Sequence, residues 1–138
     1  MPRCRVVLAE DHAPMAAVLR ALLGEVFDVV AEVADGEALL AHSTALAPDA
    51  IVCDIGLPRL SGLDAAERLL ARDAHACIVL VTIDVDPSCV NRALAIGVRG
   101  YVAKPDAGEE LVPAVLAALA RRVYLSSSVR PAPPSRHP

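Results

Sequence analysis

The stretch DAIVCD, residues 49–54, sets the fold of this chain together with the stretch CIVLVT, residues 77–82. Each consists almost entirely of apolar residues and ends at a polar one. Strands that are covered on both faces have this near-continuous apolar composition, which is typical of parallel sheets flanked by helices. The two stretches therefore predict central strands of an α/β domain.

Three further strand-like stretches alternate with segments of helical periodicity. Strands are predicted at 4–9, 27–33 and 98–103, and helices near 13–24, 36–46, 62–71, 86–96 and 107–121. This alternation favours right-handed crossovers and a doubly wound parallel sheet. We therefore predict a (βα)5 domain with a five-stranded sheet, whose ligand site lies at the carboxyl ends of the strands.

The composition narrows the class of protein. A length of 138 residues suits one domain. A net charge of −4, without a basic cluster, argues against direct nucleic-acid binding by this chain. No apolar stretch reaches the roughly 18–20 residues of a membrane span, and acidic residues come too early for a secretory signal. We expect a cytoplasmic protein without membrane contact.

Acidic residues follow the first and third predicted strands. These are Glu10, Asp11 and Asp54. If the two strands are neighbours, about 4.8 Å apart, the carboxylates lie close together. Each close pair then repels by about 1 kcal/mol in water and about 4 kcal/mol at an effective dielectric constant of 20. A hard cation such as Mg2+ relieves this repulsion, so the cluster predicts a magnesium site. The alternative interpretation is that exposed acids simply end the strands.

Two further polar residues end the remaining strands. Thr82 ends the fourth, and Lys104, the single lysine among 13 lysine and arginine residues, ends the fifth. An aspartate can accept a phosphoryl group covalently, and a metal, an ammonium and a hydroxyl stabilise the charge on that group. Asp54, Thr82 and Lys104 therefore predict a phosphoryl-transfer site. Taken singly, Thr82 is an ordinary strand residue and Lys104 an ordinary solvated lysine.

Four segments resemble the receiver domain of bacterial two-component response regulators. They are LAEDHAPM (8–15), DIGLPRLSGLDA (54–65), VLVT (79–82) and GYVAKP (100–105). ADGEAL (34–39) and VYLSSSV (123–129) are most similar to the NarL/FixJ subfamily, whose receivers precede a LuxR-type helix-turn-helix domain. The resemblance implies a flavodoxin-like fold with strand order 2-1-3-4-5. It also implies a receiver domain over residues 1–122 and a C-terminal extension or linker stub over 123–138, with a Pro-rich tail.

The resemblance implies roles at the site. Asp54 would be the phosphoacceptor, and Thr82 and Lys104 would contact the phosphoryl group. The residues expected at Mg2+ are Glu10, Asp11, Asp54 and, through its carbonyl, Gly56.

Other residues would support or transmit the reaction. Tyr101 would move between an outward and an inward position in response to Thr82. Pro58 and Gly62 would shape the loop after the acceptor, and the peptide between Lys104 and Pro105 would be cis.

The implied function is that of a signalling domain rather than of an enzyme with its own substrate. A sensor histidine kinase or a phosphotransfer protein would donate the phosphoryl group. The switched surface would then bind a new partner, including a second copy of the chain, and control transcription through a helix-turn-helix domain.

Several alternatives stay open. The chain could be a stand-alone receiver that acts by protein–protein interaction or phosphorelay, or a receiver that never takes phosphate. A Mg2+-dependent phosphatase would need a second acid at position 56, which is Gly56. A nucleotide- or flavin-binding domain would need a glycine-rich phosphate loop after the first strand, where acids stand instead.

Overall fold

The computed structural model describes residues 3–131. Within that range the chain forms six strands, β1 (Arg5–Ala9), β2 (Asp28–Val33), β3 (Ala50–Cys53), β4 (Ile78–Thr82), β5 (Gly100–Ala103) and β6 (Tyr124–Leu125). Its five α-helices are α1 (Ala13–Gly24), α2 (Gly36–Leu46), α3 (Gly62–Arg72), α4 (Pro87–Ile96) and α5 (Ala107–Leu119). A 3-10 turn, Lys104–Asp106, joins β5 to α5. The Pro-rich tail that the sequence predicts continues over 132–138, outside the described residues.

All strand pairs are parallel, and the order across the sheet is β2-β1-β3-β4-β5-β6. The predicted doubly wound sheet and the order 2-1-3-4-5 are confirmed, with one short strand added at the β5 edge. β1 and β3 are neighbours, with Ala9 opposite Cys53. The residues that follow these two strands therefore leave the sheet side by side.

Alternation along β1 separates two apolar layers. Val7 and Ala9 face α2, α3 and α4, whereas Val6 and Leu8 face α1 and α5. Every residue of β3 and β4 is buried, as their apolar sequences predict. In the centre of the sheet, polar side chains therefore stand only at or beyond the ends of β3 and β4.

The loop after β3 packs too closely for side chains at two glycines. A Cβ on Gly62 would lie 1.8 Å from the carbonyl oxygen of Asp54, and one on Gly36 would lie 2.0 Å from that of Leu60. The N–H of Gly36 also donates to the Pro58 carbonyl at 3.3 Å. These contacts hold the loop against the start of α2 and fix the backbone at Asp54.

Residues 123–131, assigned from the sequence to an extension, continue the fold. Tyr124 and Leu125 pair with β5, and Ser126 is fully buried. The first proline of this segment is Pro131, so the N–H groups of the earlier residues are free to pair. Proline content alone gave no reason to expect this added strand.

The expected cis peptide before Pro105 was wrong, because the described residues contain no cis peptide bond. Pro105 instead sits at the start of the 3-10 turn, where its fixed φ is accommodated with the usual trans bond. Across the described part of the chain, no helix has the length and apolar character needed to cross a membrane.

Candidate functional site

Three carboxylates converge at the carboxyl ends of β1 and β3. Glu10, Asp11 and Asp54 each place one oxygen within 4.8 Å of the other two. Glu10 and Asp54 are buried, whereas Asp11 is exposed. The pairing of β1 with β3 produces this convergence, as the sequence predicted.

The ammonium of Lys104 lies between two of these carboxylates. Its Nζ is 2.7 Å from Asp54 Oδ2 and 2.7 Å from Glu10 Oε1, and the lysine side chain is only 13% exposed. Burial alone lowers the pKa of Lys104, but its pairing with Asp54 and Glu10 outweighs this and raises the pKa above the ordinary value. The lysine is therefore a fixed cation at neutral pH.

One lysine does not neutralise the three carboxylates of the cluster. The contact between Lys104 Nζ and Glu10 Oε1 is an ion pair, and no further donor reaches this buried oxygen among the described residues. Three carboxylates face a single ammonium. The set therefore fits a hard divalent cation, whose preferred ligands are carboxylate oxygens and water.

Backbone groups hold the carboxylates in place. The Gly56 N–H donates to Asp54 Oδ1 at 3.2 Å, and the His12 N–H donates to Glu10 Oε2 at 3.2 Å. His12 also caps α1 through its Nδ1, which accepts from the Met15 N–H. A Cβ on Gly56 would meet nothing within 4 Å, so the position two residues after Asp54 is not crowded.

Thr82 and Tyr101 are linked through one residue of the β4–α4 loop. Thr82 is buried, and its Oγ accepts from the Asp84 N–H at 3.2 Å. The buried Tyr101 hydroxyl donates to the Asp84 carbonyl, which places the ring in the inward position. Burial also raises the pKa of this phenol, so it stays a donor. Thr82 makes no hydrogen bond to Asp54 among the described contacts.

Sequence reasoning missed two polar residues beside the lysine turn. Ser126 Oγ accepts from the Ala103 N–H at 2.9 Å and donates to Asp106 Oδ2 at 2.7 Å. The only signal in the sequence was an acid just before the last helix, which the helix dipole already explains. A serine 20 residues further on gives no indication that it pairs with that acid.

Comparison with known proteins supports the family that the sequence motifs indicated. The family model of the response regulator receiver domain matches residues 6–116. The transcriptional regulatory protein PdtaR of Mycobacterium tuberculosis is 33% identical over 122 residues, which are 88% of this chain and 58% of that protein. The DNA-binding response regulator MtrA of the same species is 36% identical over 120 residues, 86% of this chain and 52% of that protein. The chain thus spans somewhat more than half the length of these relatives.

A solved structure has the same fold. It is a two-component response regulator of the LuxR family from Aurantimonas sp. SI85-9A1, with a TM-score of 0.87 and 30% sequence identity. The match covers 92% of each chain. The subfamily to which the segments at 34–39 and 123–129 are most similar is therefore represented among the structures that this chain resembles.

The raised pKa of Lys104 predicts how stability depends on pH. The ion pairs stabilise the native state below the ordinary pKa of 10.5, and this contribution is lost as the pH rises through the higher native-state value. Urea unfolding of wild type and Lys104→Met should therefore differ by a constant free energy between about pH 7 and 10, and by less above that range. A difference that begins to shrink near neutral pH would contradict a stabilised ammonium.

Proposed function

The chain belongs to the response regulator receiver domain family, and on that premise we propose that Asp54 accepts a phosphoryl group in a magnesium-dependent reaction that switches an output surface. The observation that carries the proposal is the placement of Lys104, whose ammonium pairs with Asp54 beside Glu10 and Asp11. A structural lysine needs no acidic cluster of this kind, whereas phosphoryl transfer needs both positive and metal-binding groups around the acceptor.

The donor is a phosphohistidine on a sensor histidine kinase or a phosphotransfer protein. A carboxylate oxygen of Asp54 forms a bond to phosphorus while the P–N bond breaks, and the imidazole leaves with that electron pair and takes a proton from solvent. Lys104 moves its hydrogen bond from the carboxylate to a phosphoryl oxygen. The Gly56 N–H keeps the carboxylate oriented.

The residues that would hold Mg2+ are Glu10, Asp11, Asp54 and the Gly56 carbonyl. When bound, the ion supplies positive charge that stabilises the transferring phosphoryl group.

The switch begins at Thr82. In the structure its hydroxyl oxygen accepts a hydrogen bond from the Asp84 N–H, and the Asp84 carbonyl accepts one from the Tyr101 hydroxyl. A phosphoryl group on Asp54 draws the Thr82 hydroxyl toward its own oxygens. Because Asp84 is hydrogen-bonded to both Thr82 and Tyr101, this shift moves the β4–α4 loop. The movement changes the hydrogen bond that keeps the Tyr101 hydroxyl in place.

The output surface lies beside α4. An apolar groove of about 250 Å³ there is lined by Val85, Val90, Leu94, Leu125 and Val129, among others. Movement of the β4–α4 loop, which contains Val85, reshapes this groove and changes which partner it binds. A second copy of the chain is the first partner to test.

The names of two longer relatives support a role in gene regulation: PdtaR is a transcriptional regulatory protein and MtrA a DNA-binding response regulator. Within a longer protein this domain would control transcription, through the helix-turn-helix domain that the sequence resemblance implies. As a separate protein it would act by contact with other proteins or in a phosphorelay. The four free cysteines suit a reducing compartment, so the proposed location is the cytoplasm.

Magnesium should stabilise the native chain because it binds a site that the unfolded chain lacks. At about ten times its dissociation constant, Mg2+ should add about 1.4 kcal/mol, or raise Tm by about 5 °C. Asp11→Asn should abolish the shift. Glu109→Gln removes an exposed acid outside the cluster and should retain the shift in differential scanning fluorimetry. An equal shift for Asp11→Asn would place the ion elsewhere.

Phosphorylation should add one phosphoryl group per chain. Incubation with acetyl phosphate and Mg2+, followed by intact mass spectrometry, should give a single adduct in wild type and in Glu109→Gln. Asp54→Ala should give none because it lacks the acceptor carboxylate, and chelation of the metal should strongly reduce the wild-type signal. An adduct that persists in Asp54→Ala would refute the assignment of the acceptor.

A further inference from the structure

The residues that follow α5 bind to the strand that carries the proposed switch tyrosine. β6 pairs with β5, with Leu125 opposite Tyr101. The Ser126 N–H donates to the Tyr101 carbonyl at 3.0 Å. The backbone of Tyr101 is thus held between β4 on one side and the C-terminal extension, residues 123–131, on the other.

Ser126 closes the turn that carries the lysine. Its side-chain oxygen accepts from the Ala103 N–H at 2.9 Å and donates to Asp106 Oδ2 at 2.7 Å, and the residue is fully buried. Ala103 and Asp106 are the residues on either side of the pair Lys104 and Pro105. One hydroxyl therefore spans the turn from which the ammonium reaches Asp54.

Two acids one helical turn apart anchor the rest of the extension. Asp106 also accepts from the Ser128 N–H at 2.8 Å and its hydroxyl at 2.9 Å, and Glu110 accepts from the Ser127 N–H at 3.0 Å. Hydrogen bonds from Ser126 and Ser128 lower the pKa of Asp106. The acid is therefore ionised at neutral pH, and these bonds are available there.

Apolar contacts reinforce the polar ones. Leu125 and Val129 pack against the core cluster that contains Tyr101, and Tyr124 packs against the cluster on the opposite face of the sheet. The guanidinium of Arg130 lies 5.5 Å from the centre of the Tyr124 ring. The extension is therefore packed on both faces of the sheet edge.

We propose that Ser126 positions the Lys104 turn, so that the C-terminal extension and the phosphoacceptor site are coupled in both directions. The proposal rests on the proposed function of Asp54. Coupling between two sites is reciprocal. If the Ser126 hydroxyl strengthens binding of a group at Asp54 that contacts Lys104, binding of that group also strengthens the hydrogen bonds of Ser126. Loss of the Ser126 hydroxyl must then weaken binding of the group. The phosphoryl signal then has a second route to the surface, through the lysine turn and the extension, whose Leu125 and Val129 also line the groove beside α4.

Beryllofluoride with Mg2+, a phosphoryl mimic, provides the probe. Its dissociation constant should be measured by fluorine NMR on the chain as it stands and on two variants. Ser126→Ala removes the hydroxyl that spans the turn and should weaken binding about fivefold or more, within the usual range of coupling between sites. Ser127→Ala is the matched control, because the contacts of Ser127 are with Glu110 and not with Asp106 or Ala103. It should bind within about twofold of wild type.

A measurement on the wild-type chain covers the case in which Ser126→Ala does not fold. Saturating beryllofluoride should slow hydrogen exchange of the Ala103 and Ser128 amides about fivefold or more, because these N–H groups bond Ser126 and Asp106. Unchanged exchange, or equal affinity of Ser126→Ala and wild type, would overturn the coupling while leaving Asp54 as the acceptor. Failure of the wild-type chain to bind beryllofluoride would overturn the proposed function and the coupling with it.

Discussion

The structure depends on one ammonium placed among three carboxylates. Parallel pairing of β1 with β3 brings Glu10, Asp11 and Asp54 to one rim, where their mutual repulsion opposes folding. Lys104 reaches the same rim from the end of β5 and pairs with two of them. Because one cation cannot balance three acids, the site retains affinity for further positive charge. That imbalance fits a bound Mg2+, whose charge would allow Asp54 to receive a phosphoryl group under the proposed function.

The position of the lysine also determines which parts of the chain are connected to the site. Lys104 follows β5, the strand that carries Tyr101 and pairs with the C-terminal extension. Through Asp84, Tyr101 is joined to Thr82 and to the loop before α4. Through Ser126, the lysine turn is joined to residues 124–131. Under the proposed function, a change of charge at Asp54 would therefore reach the surface by two routes, through the loop before α4 and through the C-terminal extension.

Local patterns in the sequence predicted most of the fold and the acidic rim. Apolar stretches such as 49–54 identify strands buried on both faces, and the polar residues that end such strands must share an edge. The pairing of Ser126 with Asp106 was not predictable in this way, because the two residues are far apart in sequence and neither belongs to a periodic pattern. The trans bond before Pro105 was missed because the family resemblance, rather than the local 3-10 turn, determined the expectation.

The most direct test of the central claim is a crystal structure of the chain with Mg2+ and beryllofluoride. The account predicts beryllium bound to a carboxylate oxygen of Asp54, with Lys104 Nζ and the Thr82 hydroxyl each in contact with a fluorine. It also predicts that the hydrogen bond from the Asp84 N–H to Thr82 is broken. Beryllium bound elsewhere, or a Lys104 Nζ that stays with Glu10 and contacts no fluorine, would contradict the account.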